Sequence, residues 1–258
     1  MAADFPTLFV SHGAPDIETS APETAAALRL LAGRFARPES VLVVSAHWIA
    51  QPAGVTGGGR LETIHDYAGF DPELYKRQYP ARGDETLSKR VLALLQGGGI
   101  EARQHAQRGL DHGAWVPLAL IYPDADIPVV QLSLPAGPLT DVARLGEAIA
   151  PLRQEGVLII GSGGSVHNLY RLKGSGPPES WAPGFEQWLL ETIGNSRFEA
   201  LLDPGSHTSH FEVAHPTPEH FAPLVLAWAA GGTERSGERL HDGFSYGNLG
   251  MSCYRFGN

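Results

Sequence analysis

The sequence predicts an α/β fold, a single domain in which helices flank a central sheet that is largely parallel or mixed. Short apolar runs typical of strands alternate along the chain with segments of helical periodicity, as in folds built on a parallel sheet. The run SVLVVSA at 40–46 is nearly all apolar, as expected for a strand covered on both faces. The 258 residues suffice for one large core, so we expect a single domain over residues 1–258.

Five segments are predicted to be strands, at residues 7–10, 40–46, 127–134, 156–161 and 251–256. Helical patterns lie between them. A capping box at 20–23 precedes a helix that ends near Gly33. Further helices are expected at 85–96, after a tight turn at 111–113 through Tyr122, from the N-cap Thr140 to Gln154, at 181–192, and from the cap Thr217 to Ala230 with Pro218 at the first position.

Charge and cysteine content narrow the class of protein. Lysine and arginine number 19 against 28 aspartate and glutamate, a formal net charge of −9. Such an acidic chain is a poor candidate for binding nucleic acid or an anionic membrane, so we expect neither partner. Cys253 is the single cysteine and is expected to pack in the last strand. With no secretion signal or transmembrane run recognised, we expect a cytoplasmic protein.

Four histidines stand where predicted core segments end or helices begin: His12, His47, His167 and His220. An α/β fold gathers its active-site groups at such positions, and imidazoles brought together there can bind a transition metal. His220 follows the predicted cap Thr217, so the positive end of a helix should keep it in the neutral form that a metal requires.

The residues alone leave alternatives open. A single histidine at a strand end is more often a hydrogen-bonded structural residue, and these four are too widely spaced for a zinc-finger or His-Glu-x-x-His motif. His112, after Asp111, is either a functional residue or an exposed one beside an N-cap. His65, in an aromatic-rich loop, either lines a pocket or packs. The glycine-rich turn 161–165 lacks the lysine and spacing of a P-loop.

Seven ordered motifs together resemble one known family. They are Ser-His-Gly-Ala-Pro (11–15), Ser-Ala-His-Trp (45–48), Ile-His-Asp-Tyr-Ala-Gly-Phe (64–70), Gly-Leu-Asp-His-Gly-Ala-Trp (109–115), Pro-Val-Val-Gln-Leu-Ser-Leu (128–134), Val-His-Asn-Leu (166–169) and Pro-Thr-Pro-Glu-His-Phe (216–221). With them the chain resembles the 4,5-DOPA extradiol dioxygenase family, in the superfamily of the protocatechuate 4,5-dioxygenase catalytic subunit. The resemblance runs from about residue 5 to 230.

The resemblance implies a non-haem metal enzyme that opens a catechol-type, DOPA-like ring with O₂. It implies a single α/β catalytic domain and one divalent ion, with Fe(II) for turnover and Zn(II) plausible as the bound ion. His12, His47 and His220 match the family's metal positions. In the protocatechuate branch the third ligand is a glutamate, whereas here it is His220 with Glu219 beside it. Three neutral imidazoles suit Zn²⁺ as well as Fe²⁺, so the metal stays open.

The remaining roles also come from the resemblance. His167 matches the general base of the superfamily, and it either acts only as base or completes a four-histidine metal shell. His112 matches a second active-site histidine that donates a proton or hydrogen bond to the substrate. The residues expected to bind substrate are His65, Trp48, Tyr67 and Trp115, with Phe70 as a further aromatic wall; core packing is the alternative for each aromatic side chain.

Two other functions compete with ring cleavage. Three histidines and an open position also suit a zinc-dependent hydrolase with His167 as the base for a metal-bound water. A binding relative that keeps the fold without turnover is the third hypothesis, and the presence of both His167 and His112 argues against it. The sequence predicts neither the particular catechol nor the oligomeric state.

Overall fold

A computed structural model describes residues 4–174 and 176–257 of the chain. Within these residues the strands are β1 (Thr7–Ser11), β2 (Ser40–Ile49), β3 (Ala53–Thr56), β4 (Gly59–Arg60), β5 (Arg82–Gly83), β6 (Ala102–His105), β7 (Val129–Leu134), β8 (Val157–Gly163), β9 (Gly237–His241), β10 (Phe244–Ser245), β11 (Leu249–Gly250) and β12 (Cys253–Phe256).

The α-helices described are α1 (Ile17–Ser20), α2 (Pro22–Leu31), α3 (Glu85–Gly97), α4 (His112–Ile121), α5 (Leu139–Ile149), α6 (Trp181–Gly194), α7 (Phe211–Ala214) and α8 (Ala222–Ala230). Short 3₁₀ helices cover Pro72–Lys76, Ala150–Glu155, Leu169–Arg171, Phe198–Leu201 and Pro204–Ser206.

The central sheet is mixed, and its middle is parallel. The order β7-β2-β8-β1 is parallel throughout, and β12 and β9 extend it in antiparallel pairing. Ser11 at the end of β1 lies opposite Gly163 at the end of β8, and Ser45 lies opposite Ser162. The carboxyl ends of three neighbouring strands therefore meet at one edge. This confirms the predicted α/β class.

Both faces of the parallel strands are buried, which explains their apolar sequences. On one face Leu42 and Val44 belong to the core formed with α5 and α8, while Val41 and Val43 face the core formed with α2 and α4. Helix α8 is buried along its whole length. A strand enclosed in this way has no polar face, as expected for a parallel sheet between two helical layers.

Three predicted helix starts are wrong. No side chain caps α2, which begins at Pro22, and the Ser20 hydroxyl donates to the Asp16 carbonyl instead. Thr140 lies inside α5, which begins at Leu139. Helix α8 begins at Ala222, so the segment from Thr217 to His220 precedes it. Local capping patterns competed here with tertiary packing of the preceding loops.

Cys253 is buried in β12, as predicted, and burial raises the pKa of its thiol to about 12. Among the described helices, none has the length and apolar content needed to span a membrane.

Candidate metal centre

Three histidines converge at the carboxyl edge of the parallel strands. His12 directly follows β1, and its backbone N–H donates to the Gly163 carbonyl at 3.0 Å. His47 lies within β2, which continues to Ile49 and does not end at residue 46 as predicted. The pairing of β2 with β7 becomes irregular after Val44, and His47 lies in that irregular stretch.

The position of His220 depends on two glycines in β8. A Cβ on Gly163 would lie 2.1 Å from the His220 carbonyl oxygen, and one on Gly161 would lie 2.1 Å from that of Pro223. The absence of side chains there lets the segment before α8 pack directly on the strand. The Gly164 N–H donates to the His220 carbonyl at 3.0 Å, which fixes this histidine next to the strand ends.

The geometry of His12, His47 and His220 fits a metal ion. One ring nitrogen of each lies within 4.8 Å of the others, and Nε2 of His12 is 3.0 Å from Nε2 of His47. Imidazole nitrogens that share one ion at about 2.0–2.1 Å lie roughly 3–4 Å apart. The three side chains therefore have the spacing of a shared coordination site.

The outer nitrogen of each of these histidines faces an oxygen. Nδ1 of His12 donates to the Ser162 hydroxyl at 3.0 Å, because that hydroxyl donates to the Gly113 carbonyl. Nδ1 of His220 is 3.1 Å from Glu219 Oε1, and Nδ1 of His47 is 3.8 Å from Asp66 Oδ2. The hydrogen bonds of His12 and His220 hold the proton on Nδ1 of these two rings and leave Nε2 free to bind a metal.

The electrostatics keep the cluster neutral. Burial, followed by the neighbouring imidazoles, holds the pKa of His12 and that of His220 well below the usual value. Burial also lowers the pKa of His47 to about 3. Since neutral imidazole is the form that binds a metal, all three are ready to act as ligands at neutral pH. The expected effect of a helix end on His220 is absent, because α8 begins after it.

His167 lies beside this trio. Its ring stacks on His220 with centroids 3.4 Å apart and planes 6° apart, and burial lowers its pKa to about 4. Ligand atoms of His167, Glu219 and His220 lie within 4.8 Å of one another, whereas the group formed by His12, His47 and His220 does not include His167. The structure thus places His167 against one member of the trio, His220.

His112 is buried, and a carboxylate orients it. It is the first residue of α4, so the helix begins within the predicted turn at 111–113, and the N-cap Asp111 accepts from the Ala114 N–H. Its backbone N–H and its Nδ1 both donate to Asp66 Oδ1, each at 2.9 Å, and its ring lies 4.0 Å from that of His47. Burial alone would raise the pKa of Asp66, but the hydrogen bonds and charge of His112 outweigh it and lower that pKa to about 2.

Asp66 is a residue that sequence reasoning missed. The motif Ile-His-Asp-Tyr contains it beside His65 and Tyr67, which are the residues of this motif expected to bind substrate. The signal present in the sequence is an acidic residue within a motif of aromatic side chains. Histidines at metal sites commonly donate their second ring N–H to a carboxylate, so such a residue is a candidate partner.

A cavity of about 220 Å³ opens onto the histidines. The five histidines His12, His47, His112, His167 and His220 line it, together with Tyr67 and Phe70. Tyr67 and Phe70 are thus the two residues of the expected aromatic wall that line this cavity.

The other expected substrate-binding residues lie outside this cavity. Nε2 of His65 bonds the Arg77 carbonyl at 2.9 Å, which holds its ring among aromatic neighbours. Trp48 is buried against Gly54 and under the Arg108 guanidinium. The buried Trp115 donates its indole N–H to the Ile64 carbonyl. Each of the three side chains thus has a partner in the surrounding loops, and its contact with substrate stays a prediction.

Behind the cavity a buried polar network holds the turn that leads to His167. Nε2 of the buried His215 donates to the Ser165 carbonyl at 2.9 Å, since a carbonyl can only accept. The Ser165 and Ser252 hydroxyls both donate to the buried carboxyl of Glu186. Phenylalanines pack around His215 and enclose it.

The sequence is similar to those of known aromatic ring-opening dioxygenases. The family described as the catalytic LigB subunit of aromatic ring-opening dioxygenase matches residues 14–257. The 4,5-DOPA dioxygenase extradiol of Beta vulgaris is 38% identical over 260 residues, 97% of this chain and 96% of that protein. The protein of the same name from Escherichia coli K12 is 34% identical, covering 98% of this chain and 94% of its own length.

A solved structure also resembles this fold. The crystal structure of an uncharacterized protein from Escherichia coli K12 superposes with a TM-score of 0.79 at 30% identity. The match covers 98% of this chain and 100% of the other.

Proposed function

Because the chain belongs to the family of the catalytic LigB subunit of aromatic ring-opening dioxygenases, we propose that its histidine cluster holds the metal and the catechol of the ring cleavage. The chain is an extradiol ring-cleaving dioxygenase, which acts on a small aromatic substrate with O₂. Enzymes of this family are non-haem and metal-dependent. Family membership decides against the hydrolase and the non-catalytic alternatives, and the match over 14–257 supports one catalytic domain over residues 1–258.

The proposed metal ligands are His12, His47 and His220. The observation that carries the proposal is the convergence of their ring nitrogens within 4.8 Å, with all three rings neutral and the outer nitrogens of His12 and His220 each held by an oxygen. We assign Fe(II) to turnover and regard Zn(II) as an ion the same three imidazoles would hold. When bound, the divalent ion would favour loss of the catechol protons, and as Fe(II) it would supply electrons to O₂.

His167 is the proposed general base and is not a ligand in this assignment. Its pKa of about 4 keeps it neutral at working pH, so a ring nitrogen can accept a proton from a catechol hydroxyl. Its stacking on His220 sets the ring beside the site where the hydroxyls would lie.

His112 has one ring nitrogen left for the substrate. Since Nδ1 donates to Asp66, Nε2 is the nitrogen that remains on the cavity side. We propose that Nε2 of His112 makes the hydrogen bond to the substrate, and that the ring carries a second proton when it donates. The Asp66 carboxylate stabilises the ring when it carries that second proton.

Anaerobic loading with Fe(II), followed by a catechol and O₂, tests the function. We expect a yellow ring-opened product that carries both atoms of labelled O₂, and no product from the Zn(II) form, since zinc has no redox chemistry. A product without labelled oxygen, or turnover by the zinc form, would contradict the proposal.

A further inference from the structure

Away from the histidines, the wall of the cavity is apolar. Val166, Leu249 and Met251 are buried there, and Leu169 lines the same cavity while 58% exposed. Since the histidine end is buried and Leu169 faces solvent, Leu169 marks the open end. A catechol with its hydroxyls at the histidines therefore directs its ring substituent along this wall.

No lysine or arginine is found among the described residues that line the cavity. Two cations follow Leu169 along the chain, Arg171 and Lys173, but neither lines the cavity, and Lys173 pairs with Glu179 at 3.6 Å. The hydroxyl of Tyr67 already donates to the Leu74 carbonyl. An anionic substituent would therefore find no cationic side chain among the described residues of this wall.

The apolar wall itself disfavours a charged substituent. A substrate carboxylate would lose water there and find no cationic side chain among the described lining residues in exchange. The cost of removing that water weakens binding.

We propose that the preferred substrate is a catechol with an uncharged, apolar ring substituent that packs along Leu169, Leu249 and Met251. This inference rests on the proposed ring cleavage and names its substrate class. It separates this chain from the relatives whose names specify DOPA, a catechol with a carboxylate and an ammonium group on its side chain.

Two catechols of similar length test the charge preference. We expect kcat/KM for 4-propylcatechol to exceed that for 3-(3,4-dihydroxyphenyl)propionate by at least about tenfold, with DOPA as poor as the propionate. Equal values, or a preference for the propionate or DOPA, would overturn the inference.

A substitution at the rim tests where the substituent lies. Leu169→Arg places a guanidinium at the open end and should shift the ratio of kcat/KM toward the propionate by about fivefold or more. Leu172→Arg is the matched control, because Leu172 is also exposed, follows the same short helix and does not line the cavity. An unchanged ratio in Leu169→Arg, or an equal shift in both variants, contradicts the proposed position.

Binding measurements separate failure of this inference from failure of the proposed function. Calorimetry on the Zn(II)-loaded protein gives Kd for both catechols without turnover. If Fe(II) protein opens neither ring, ring cleavage is refuted, while tighter binding of 4-propylcatechol still supports the apolar site. If the rings open but the propionate binds as tightly, the substrate class is wrong and the function stands.

Discussion

Asp66 accepts two hydrogen bonds from His112, from the backbone N–H and from Nδ1, each at 2.9 Å. The pair holds a proton on Nδ1 of the ring, so Nε2 is the nitrogen on the cavity side. The other carboxylate oxygen lies 3.8 Å from Nδ1 of His47. One carboxylate thus orients the proposed substrate-binding histidine and lies beside a proposed ligand.

Removal of this carboxylate should change the ring of His112 and slow catalysis. In Asp66→Ala we expect the ¹⁵N shifts of His112 to report the proton on Nε2, and kcat to fall about 10- to 100-fold with a smaller change in KM. Asp66→Asn keeps an acceptor oxygen and should retain the original tautomer and part of the activity. An alanine variant with unchanged shifts and kcat would show that Asp66 does not orient His112.

His167→Ala should abolish turnover and leave metal binding intact. His167 lies against His220 and outside the group formed by His12, His47 and His220, so it is assigned as base. Elemental analysis and ring-opening assays on the same preparation measure the two properties. His12→Ala is the companion variant and should lose metal and activity together. Loss of metal from His167→Ala would make His167 a ligand.

The part of the site that lies at the ends of strands could be predicted from the sequence. His12 could be placed because parallel strands end at one edge of a sheet, and the apolar runs that mark those strands are visible in the sequence. Asp66 lies in a loop outside the strands and helices, and its contact with His112 arises from the path of that loop in space. Trp48 and Trp115 show a related limit, because an aromatic residue in a motif has the same pattern whether it packs or lines a cavity.

Ser162→Ala should weaken metal binding without removing a ligand. The Ser162 hydroxyl donates to the Gly113 carbonyl and accepts from Nδ1 of His12, which leaves Nε2 of that ring free for the metal. We expect a loss of metal affinity of about tenfold, measured by competition with a chelating dye. Ser133→Ala is the control, since that buried serine accepts from the Gly54 N–H away from the histidines. Equal affinity losses in both variants would indicate general destabilisation.

His215 should make the metal-free fold sensitive to acid. Burial lowers its pKa to about 3 in the folded protein, against an ordinary value of 6.5. Between these values the unfolded chain binds the extra proton, so the free energy of unfolding falls as the pH decreases from about 6.5 toward 3. His215→Gln removes the imidazole that binds this proton and should reduce the slope of unfolding free energy against pH by up to about 1.4 kcal/mol per pH unit.

Urea denaturation at several pH values measures the slope of unfolding free energy against pH. The exposed His207→Gln is the control; if His215→Gln keeps the wild-type slope, His215 is not buried in its neutral form, and the turn before His167 is held in another way.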